Sequence, residues 1–415
     1  MTSKSLVSIV RDEKPLESVR KAVALCRGLD HLPAKARVFI KPNIVFWTVE
    51  ANFPKYGVIT TSRVVEDMVI LLKEYGIEDI VIGEGTVLRP PQATDQQEHA
   101  FDTLGYTALQ KRYGVKLLNI WKRPFKKVDL GAGVILKFNV DILESDFVVD
   151  LPVLKTHSMT VVSLGIKNLK GMIDIPSRKK CHSTGPQKDL HFMVSRLANR
   201  MPSMLTLLDG IYTSERGPNI DGTMHRSNLL VASADVLSAD MVGASVLGHH
   251  PQDVPHLVHA ARKRKRPMDL SDIEVVGKSI DEVASPHQYD FPYTEDKSLP
   301  LSISEMGIKG LAYYKYDLSL CEVLSGKVMQ PSAGKKKTIL FGKCMYQAHK
   351  DNADIREMIP IKGCPPKPDS IVKAFHQAGI DVDPNIFKNI GKLPGNFFKR
   401  YAGRPEFEES HFQIR

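Results

Sequence analysis

The sequence predicts an α/β protein: a doubly wound, mostly parallel sheet with a smaller cysteine-bearing region at the C-terminal end. Three observations lead there. Short apolar runs alternate with amphipathic helical segments along residues 5–280, the order of βαβ units with right-handed crossovers and parallel strands. Several of these runs end in a polar residue followed by a turn former, as in Lys41-Pro42-Asn43, Glu84-Gly85 and Asp209-Gly210. Open parallel sheets bind ligands at the carboxyl ends of their strands, so these positions face a ligand site. Beyond a Pro-, Asp- and Ser-rich segment at 285–300 the pattern changes, and Cys321, Cys344 and Cys364 follow. We therefore expect residues 1–300 to form the main domain and 301–415 a C-terminal region.

The first strand is expected over residues 5–10, a helix over Leu16–Leu29, and a second strand at Arg37–Lys41. Pro42 cannot extend a ladder and Asn43 suits a turn, so the chain leaves the sheet there. Val64–Tyr75 has helical spacing, with Thr61 or Ser62 as N-cap; Ile80–Ile82 then runs into Gly83-Glu84-Gly85. That glycine turn lacks the third glycine of a dinucleotide fingerprint. A helix at 101–113, a strand at 115–120 and a hairpin through Gly131-Ala132-Gly133 come next. A buried strand begins at Asp146 and delivers Lys155-Thr156-His157. A helix over 189–200, a strand ending at Asp209, and a strand ending at Asp235 with Asp240 on the next helix complete the pattern, before a last strand at 272–276. Asp235 reads better as a helix cap than as a ligand group.

Composition narrows the function classes. With 42% hydrophobic and 25% charged residues the chain has ordinary globular content. It has no run of about 18 apolar residues, so no membrane span is expected. Residues 1–10 carry no export-like apolar region, and a cytoplasmic location follows by default. The net charge of +10 fits a nucleic-acid partner, a small anionic substrate or a basic surface. The densest basic run, Arg262-Lys263-Arg264-Lys265-Arg266, reads as an exposed helix end suited to the negative end of the helix dipole. No nucleic-acid motif accompanies it, so nucleic acid is not an expected partner and a small anion is.

The chemistry concentrates between Asp146 and His182. Lys155 and His157 sit at a strand end, Lys167 and Asn168 follow ten residues later, and Cys181 and His182 close the stretch. A lysine among other cations has a depressed pKa and serves as nucleophile or Schiff-base former; imidazole serves as base or metal ligand. We expect Lys155, His157, Lys167 and His182 as catalytic residues, with Lys41, Asn43, Glu84, Asn168 and Asp209 binding substrate. Cys344 and Cys364 lie at glycine-flanked turns after short apolar strands, where backbone amides can point at sulfur. With Cys321 they would supply three ligands to an iron–sulfur cluster, which normally takes four; buried thiols or a redox pair are the alternatives. Gly363-Cys364-Pro365-Pro366 resembles a cluster-binding turn of respiratory quinone-reducing complexes and hydrogenases.

The blocks Lys41-Pro42-Asn43, Asp150 to His157, Lys167 to Gly171, His182, and Ser233-Ala234-Asp235 with Asp240 resemble the domain-of-unknown-function 362 family. Some of its members bear iron–sulfur segments, and the resemblance lends no settled reaction. The Cys-x-x-Cys repeat of some relatives is missing here. His157, Lys167 and His182 are also distantly similar in order and spacing to nickel-pincer lactate racemases. That similarity implies a lysine holding the cofactor, with histidines as base and metal ligand; the glycine pair before the lysine is absent from this chain. Three functions stay open: a redox enzyme dependent on an iron–sulfur cluster or another metal, acting on a small anion with a redox partner protein; a racemase- or isomerase-like enzyme with His157 as base; and a non-catalytic anion-binding module.

Overall fold

The strand-like runs satisfy their backbone amides mainly in one large sheet. The computed structural model describes residues 4–86, 95–182, 187–295, 299–305, 321–325, 330–363, 366–380, 382–385, 391 and 393–415. In chain order the strands of the main body are β1 (Ser5–Arg11), β2 (Val38–Pro42), β3 (Ile80–Glu84), β4 (Lys116–Asn119), β5 (Phe125–Asp129), β6 (Ile135–Asn139), β7 (Phe147–Leu151), β8 (Val153–His157), β9 (Val161–Val162), β10 (Ser203–Glu215), β11 (Thr223–Ser233) and β12 (Ile273–Gly277). The sheet runs β12-β1-β11-β10-β7-β2-β3-β4, while β5 and β6 form a separate hairpin. β10, β7, β2, β3 and β4 are mutually parallel, and β11 is inserted antiparallel between β1 and β10. Pro152, with no N–H to give, separates β7 from β8, which rejoins β10 along its second half and pairs with the short β9.

Helices α1 (Glu17–Leu25), α2 (Ser62–Glu74), α3 (Asp95–Thr103) and α4 (Tyr106–Tyr113) cover one face of the sheet. The helices α5 (Val140–Leu143), α6 (Leu164–Asn168), α7 (Ile175–Cys181), α8 (Leu190–Val194), α9 (Val236–Val246), α10 (Pro255–Arg264) and α11 (Ile280–Val283) follow, with the core of α6 and α8 to α10 on the other face. Alternation along β2 makes the double winding visible. Val38 and Ile40 enter the core with α2, while Phe39 enters the core with α9. Gly83 on β3 is required by this packing, since a Cβ there would lie 2.4 Å from the Phe39 ring.

Two helices differ from expectation. The single helix expected over 101–113 is split at Gly105, whose φ of +77° suits glycine, and where a Cβ would meet Ile414 of the C-terminal tail at 2.7 Å. The helix expected over 189–200 shortens to α8 plus a 3₁₀ turn at Leu197–Arg200. Ser195 Oγ donates back to the Phe192 carbonyl at 2.7 Å, a local bond that competes with the regular helix. The basic run at the end of α10 is partly structural, because Arg264 and Arg266 pair with Asp235, the N-cap of α9.

The C-terminal region carries α12 (Leu301–Glu305) and a parallel three-stranded sheet, β13 (Cys321–Ser325), β14 (Lys337–Phe341) and β15 (Glu357–Ile361). It also holds α13 (Lys343–His349) and α14 (Pro368–Ala378), with a small core that includes Val323, Ile339, Ile359 and Phe375. Residues 393–415, including α15 (Leu393–Lys399), depart from the expected boundary. Phe397, Tyr401, Phe407 and Phe412 join the main core around Tyr56 and Tyr212, and Glu409 pairs with Lys55 at 2.8 Å. The last segment of the chain therefore belongs to the large domain.

Candidate functional site

The carboxyl ends of β2, β3, β7 and β8 meet on one edge. Register sets Lys41 opposite Asp150, and Asp150 opposite Thr206. Asn168, at the end of α6, ties this row together: its Nδ2 donates to Asp150 Oδ1 at 2.8 Å, and its Oδ1 accepts from Lys41 Nζ at 3.0 Å and from Asn43 Nδ2 at 2.9 Å. Lys41 also donates to Glu84 Oε2 at 2.6 Å and to the Pro42 carbonyl at 2.8 Å. Glu84 accepts in addition from the amides of Ile44 and Gly85. Gly171 closes over the pair; a Cβ there would stand 2.4 Å from Glu84 Oε1 and 2.8 Å from Lys41 Nζ. Lys41, Asn43, Glu84 and Asn168, expected to bind substrate, are thus buried and bonded to one another. They hold the floor of the site together.

Asp209 is likewise internal. Its carboxylate accepts from the amides of Thr61, at the start of α2, and Ile211. Burial raises its pKa to about 6 against those bonds. Asp150 is fully buried, and burial, with Glu84 adding to it, raises its pKa to about 7 against the opposing effects of Lys41 and Asn168. Asp240 accepts from the Gly165 and Ile166 amides at 2.7 and 2.9 Å, fixing the start of α6.

Of the residues expected to be catalytic, Lys167, Lys155 and His182 all act electrostatically on His157. Lys155 Nζ donates to the Val58 carbonyl (2.7 Å), Asn43 Oδ1 (2.9 Å) and the Pro218 carbonyl (3.2 Å). Three acceptors match the three hydrogens of an ammonium and work against burial and Lys41, which push Lys155 down to about 7. Lys155 is a brace. His157 is held well below its ordinary pKa by burial, then by Lys167, Lys170, Lys155 and His182. Its Nδ1 accepts the Met159 amide at 3.0 Å. A neutral ring with Nδ1 accepting carries its proton on Nε2, so His157 presents a donor. Metal-bound histidines use their second nitrogen as a donor instead, and a general base needs an open lone pair; His157 in this arrangement offers neither.

Lys167 differs from the other lysines of the site. It lies on α6 half-buried, and among the described residues no side chain or carbonyl accepts from its Nζ. Burial, with Lys170 and Lys155, holds its amine well below the usual lysine value, and Cys181 acts the other way. Lys170 Nζ and His182 Nε2 lie 2.6 Å apart at the exposed rim. The loop that leads to Lys167 carries unusual backbone: Val161 at φ 65° and Leu164 at φ 39° occupy the left-handed region, which is rare for β-branched or bulky residues.

Of the three cysteines expected as cluster ligands, Cys321 and Cys344 lie among the described residues. In the parallel β13–β14 register Cys321 faces Lys337 at the amino edge of the small sheet, whereas Cys344 lies on α13 beyond the carboxyl edge. Cys364 lies outside the described residues. Among those residues, no group of three His, Cys, Asp or Glu side chains is arranged to hold a metal ion.

Sequence reasoning missed two participants. Asp150 was legible only as part of a motif. Arg178 stacks on Trp121 and donates to the Gly85 carbonyl at 2.7 Å, bracing the turn after Glu84.

No helix among the described residues is long and apolar enough to cross a membrane. The chain is 25% identical over 230 residues to a thylakoid-associated protein of Synechocystis sp. (strain ATCC 27184 / PCC 6803 / Kazusa), covering 55% of this chain and 67% of that one. A family model described as a domain of unknown function, DUF362, matches residues 38–245. That span runs from β2 to α9 and includes the whole cationic edge, Lys41 to His182; the chain belongs to the DUF362 family.

Proposed function

We propose that this edge binds a small anionic substrate and that Lys167, whose amine burial and neighbouring lysines hold well below the usual lysine value, is the reactive group. The observation that carries this is the contrast among the lysines. Lys41 and Lys155 are each saturated by three acceptors, while Lys167, a few residues from the same hub, has none among the described residues and is crowded by Lys170 and Lys155. A lysine amine freed of its proton by burial and neighbouring cations is a nucleophile or base near neutral pH. His157 Nε2–H and the Lys170–His182 pair supply donors for the anion. With a carbonyl substrate the amine nitrogen would attack the carbon, and loss of water would give an imine; the substrate's charged group would be held by those donors.

The test uses glyoxylate, a small anionic aldehyde, with cyanoborohydride to reduce any imine to a stable secondary amine. Peptide mapping should find the adduct at Lys167 ahead of other lysines. Its pH midpoint should fall below that of an exposed lysine, and it should be absent in Lys167→Met. Uniform labelling of surface lysines with Lys167 unmodified would refute the proposal. His157→Ala should weaken glyoxylate capture without moving the pH midpoint upward, as expected of a donor.

Anaerobic purification with iron analysis tests a cluster-dependent redox role directly. The cytoplasm stays the proposed location. Because the Synechocystis relative is named for thylakoid association, fractionation should compare soluble and membrane pools.

A further inference from the structure

Lys155 is fixed by three acceptors, and two segments far apart in the chain carry them. The Val58 carbonyl lies on the turn at residues 55–60, closed by the Val58 and Ile59 amides donating to the Lys55 carbonyl at 3.0 and 2.9 Å. Asn43 is tied to that turn twice: its amide donates to Thr60 Oγ1 at 2.8 Å, and the Thr60 amide donates to its carbonyl at 3.0 Å. The Pro218 carbonyl begins a second turn, closed by the Gly222 amide donating to the Asn219 carbonyl at 3.1 Å. An ammonium held in this way is only as well placed as the backbone that carries its acceptors.

Both turns are gripped by residues 393–415. On the first, Glu409 Oε2 accepts from Lys55 Nζ at 2.8 Å, and the Phe407 carbonyl accepts from the Tyr56 hydroxyl at 3.2 Å. The Tyr56 ring packs on Phe407 and Phe412, with centroids 4.9 and 5.6 Å away. Gly57 follows with φ +62°, and a Cβ there would lie 2.5 Å from the Thr213 carbonyl, so the turn is pressed against β10. On the second turn, the Tyr401 hydroxyl donates to the Gly222 carbonyl at 3.3 Å and accepts the Met224 amide at 3.2 Å. Between the two, the Tyr212 hydroxyl on β10 accepts the Glu408 amide at 2.9 Å. Lys41 is placed by other means: its acceptors are Pro42, Glu84 and Asn168, and among the described residues none of these is hydrogen-bonded to residues 393–415.

We propose that residues 393–415 are a positioning strap for the site: they hold the two turns that hold Lys155, and their release converts that lysine from a brace into an accessible amine. The strap acts on Lys155 through the turns, and this role is independent of which ligand the edge takes.

Competitive labelling of the folded full chain with acetic anhydride, read by peptide mapping, tests the proposal. Lys155 is 1% exposed and Lys41 0%, so each reacts only when its surroundings open. Tyr401→Phe removes the hydroxyl that grips the second turn, and Glu409→Gln removes the charge that grips the first. Losing one such bond should raise the labelling rate of Lys155 relative to Lys41 by on the order of fivefold. Global unfolding exposes both lysines together, so a segment that merely adds stability leaves their ratio unchanged. A selective rise at Lys155 in either variant sustains the strap. A ratio that stays at the wild-type value in both would overturn it, whether the two lysines rise in step or not at all. Glu409→Gln, at a side chain 41% exposed, decides alone if Tyr401→Phe does not fold.

Discussion

Replacing Lys41 by methionine keeps the aliphatic stem and deletes the ammonium that donates to Glu84, Pro42 and Asn168. The Lys41 side chain is 0% exposed and that of Glu84 3%, so solvent cannot take over the lost partner. Removing one member of a buried ion pair costs about 3–5 kcal/mol. Glu84 retains the Ile44 and Gly85 amides at 3.0 and 2.6 Å, and Asn168 Oδ1 retains Asn43. These surviving donors place the expected loss near the lower end, about 3 kcal/mol, a large share of a typical total of about 5–15 kcal/mol. Adding Glu84→Gln should restore part of it, with a coupling of about 1–3 kcal/mol. Urea unfolding followed by tryptophan fluorescence reports this directly, because Trp47 and Trp121 both lie in the large domain. Losses that simply add, or a single-variant loss below about 1 kcal/mol, would show that the pair does not hold the edge together.

Gly171→Ala should lower stability by about 1–3 kcal/mol by forcing Glu84 and Lys41 off their present positions; an unchanged thermal midpoint would contradict the close approach. Asp150→Asn should change the pH dependence of stability. Asp150 titrates near 3.8 when unfolded and about 7 when folded, so the native state holds a proton the unfolded state releases, and wild-type stability falls as pH rises between those values. The Asn variant lacks that fall and should gain on the wild type across the same window in parallel urea titrations; a constant difference would refute the shift. Phe412→Ala should cost about 3–5 kcal/mol, since Phe412 packs on Tyr56 and Tyr212, and limited proteolysis should then release the C-terminal segment from an otherwise folded domain.

The sequence by itself determined the parallel sheet, because β-branched runs separated by helical periodicity leave few other ways to bury both kinds of element. It also determined that Lys41, Glu84, Lys155, His157 and Lys167 share one edge, since each follows directly from a strand's carboxyl end or from the loop after it. Which of these groups face a ligand was a matter for tertiary structure alone. Whether a lysine is a brace or a reactive amine depends on acceptors contributed by distant segments: the Val58 and Pro218 carbonyls and Asn43 for Lys155, none among the described residues for Lys167. The same holds for Asp209, whose carboxylate is taken up by the Thr61 and Ile211 amides. Residue type and spacing record what each side chain can do; the neighbours that leave it free or use it up are assembled only by the fold.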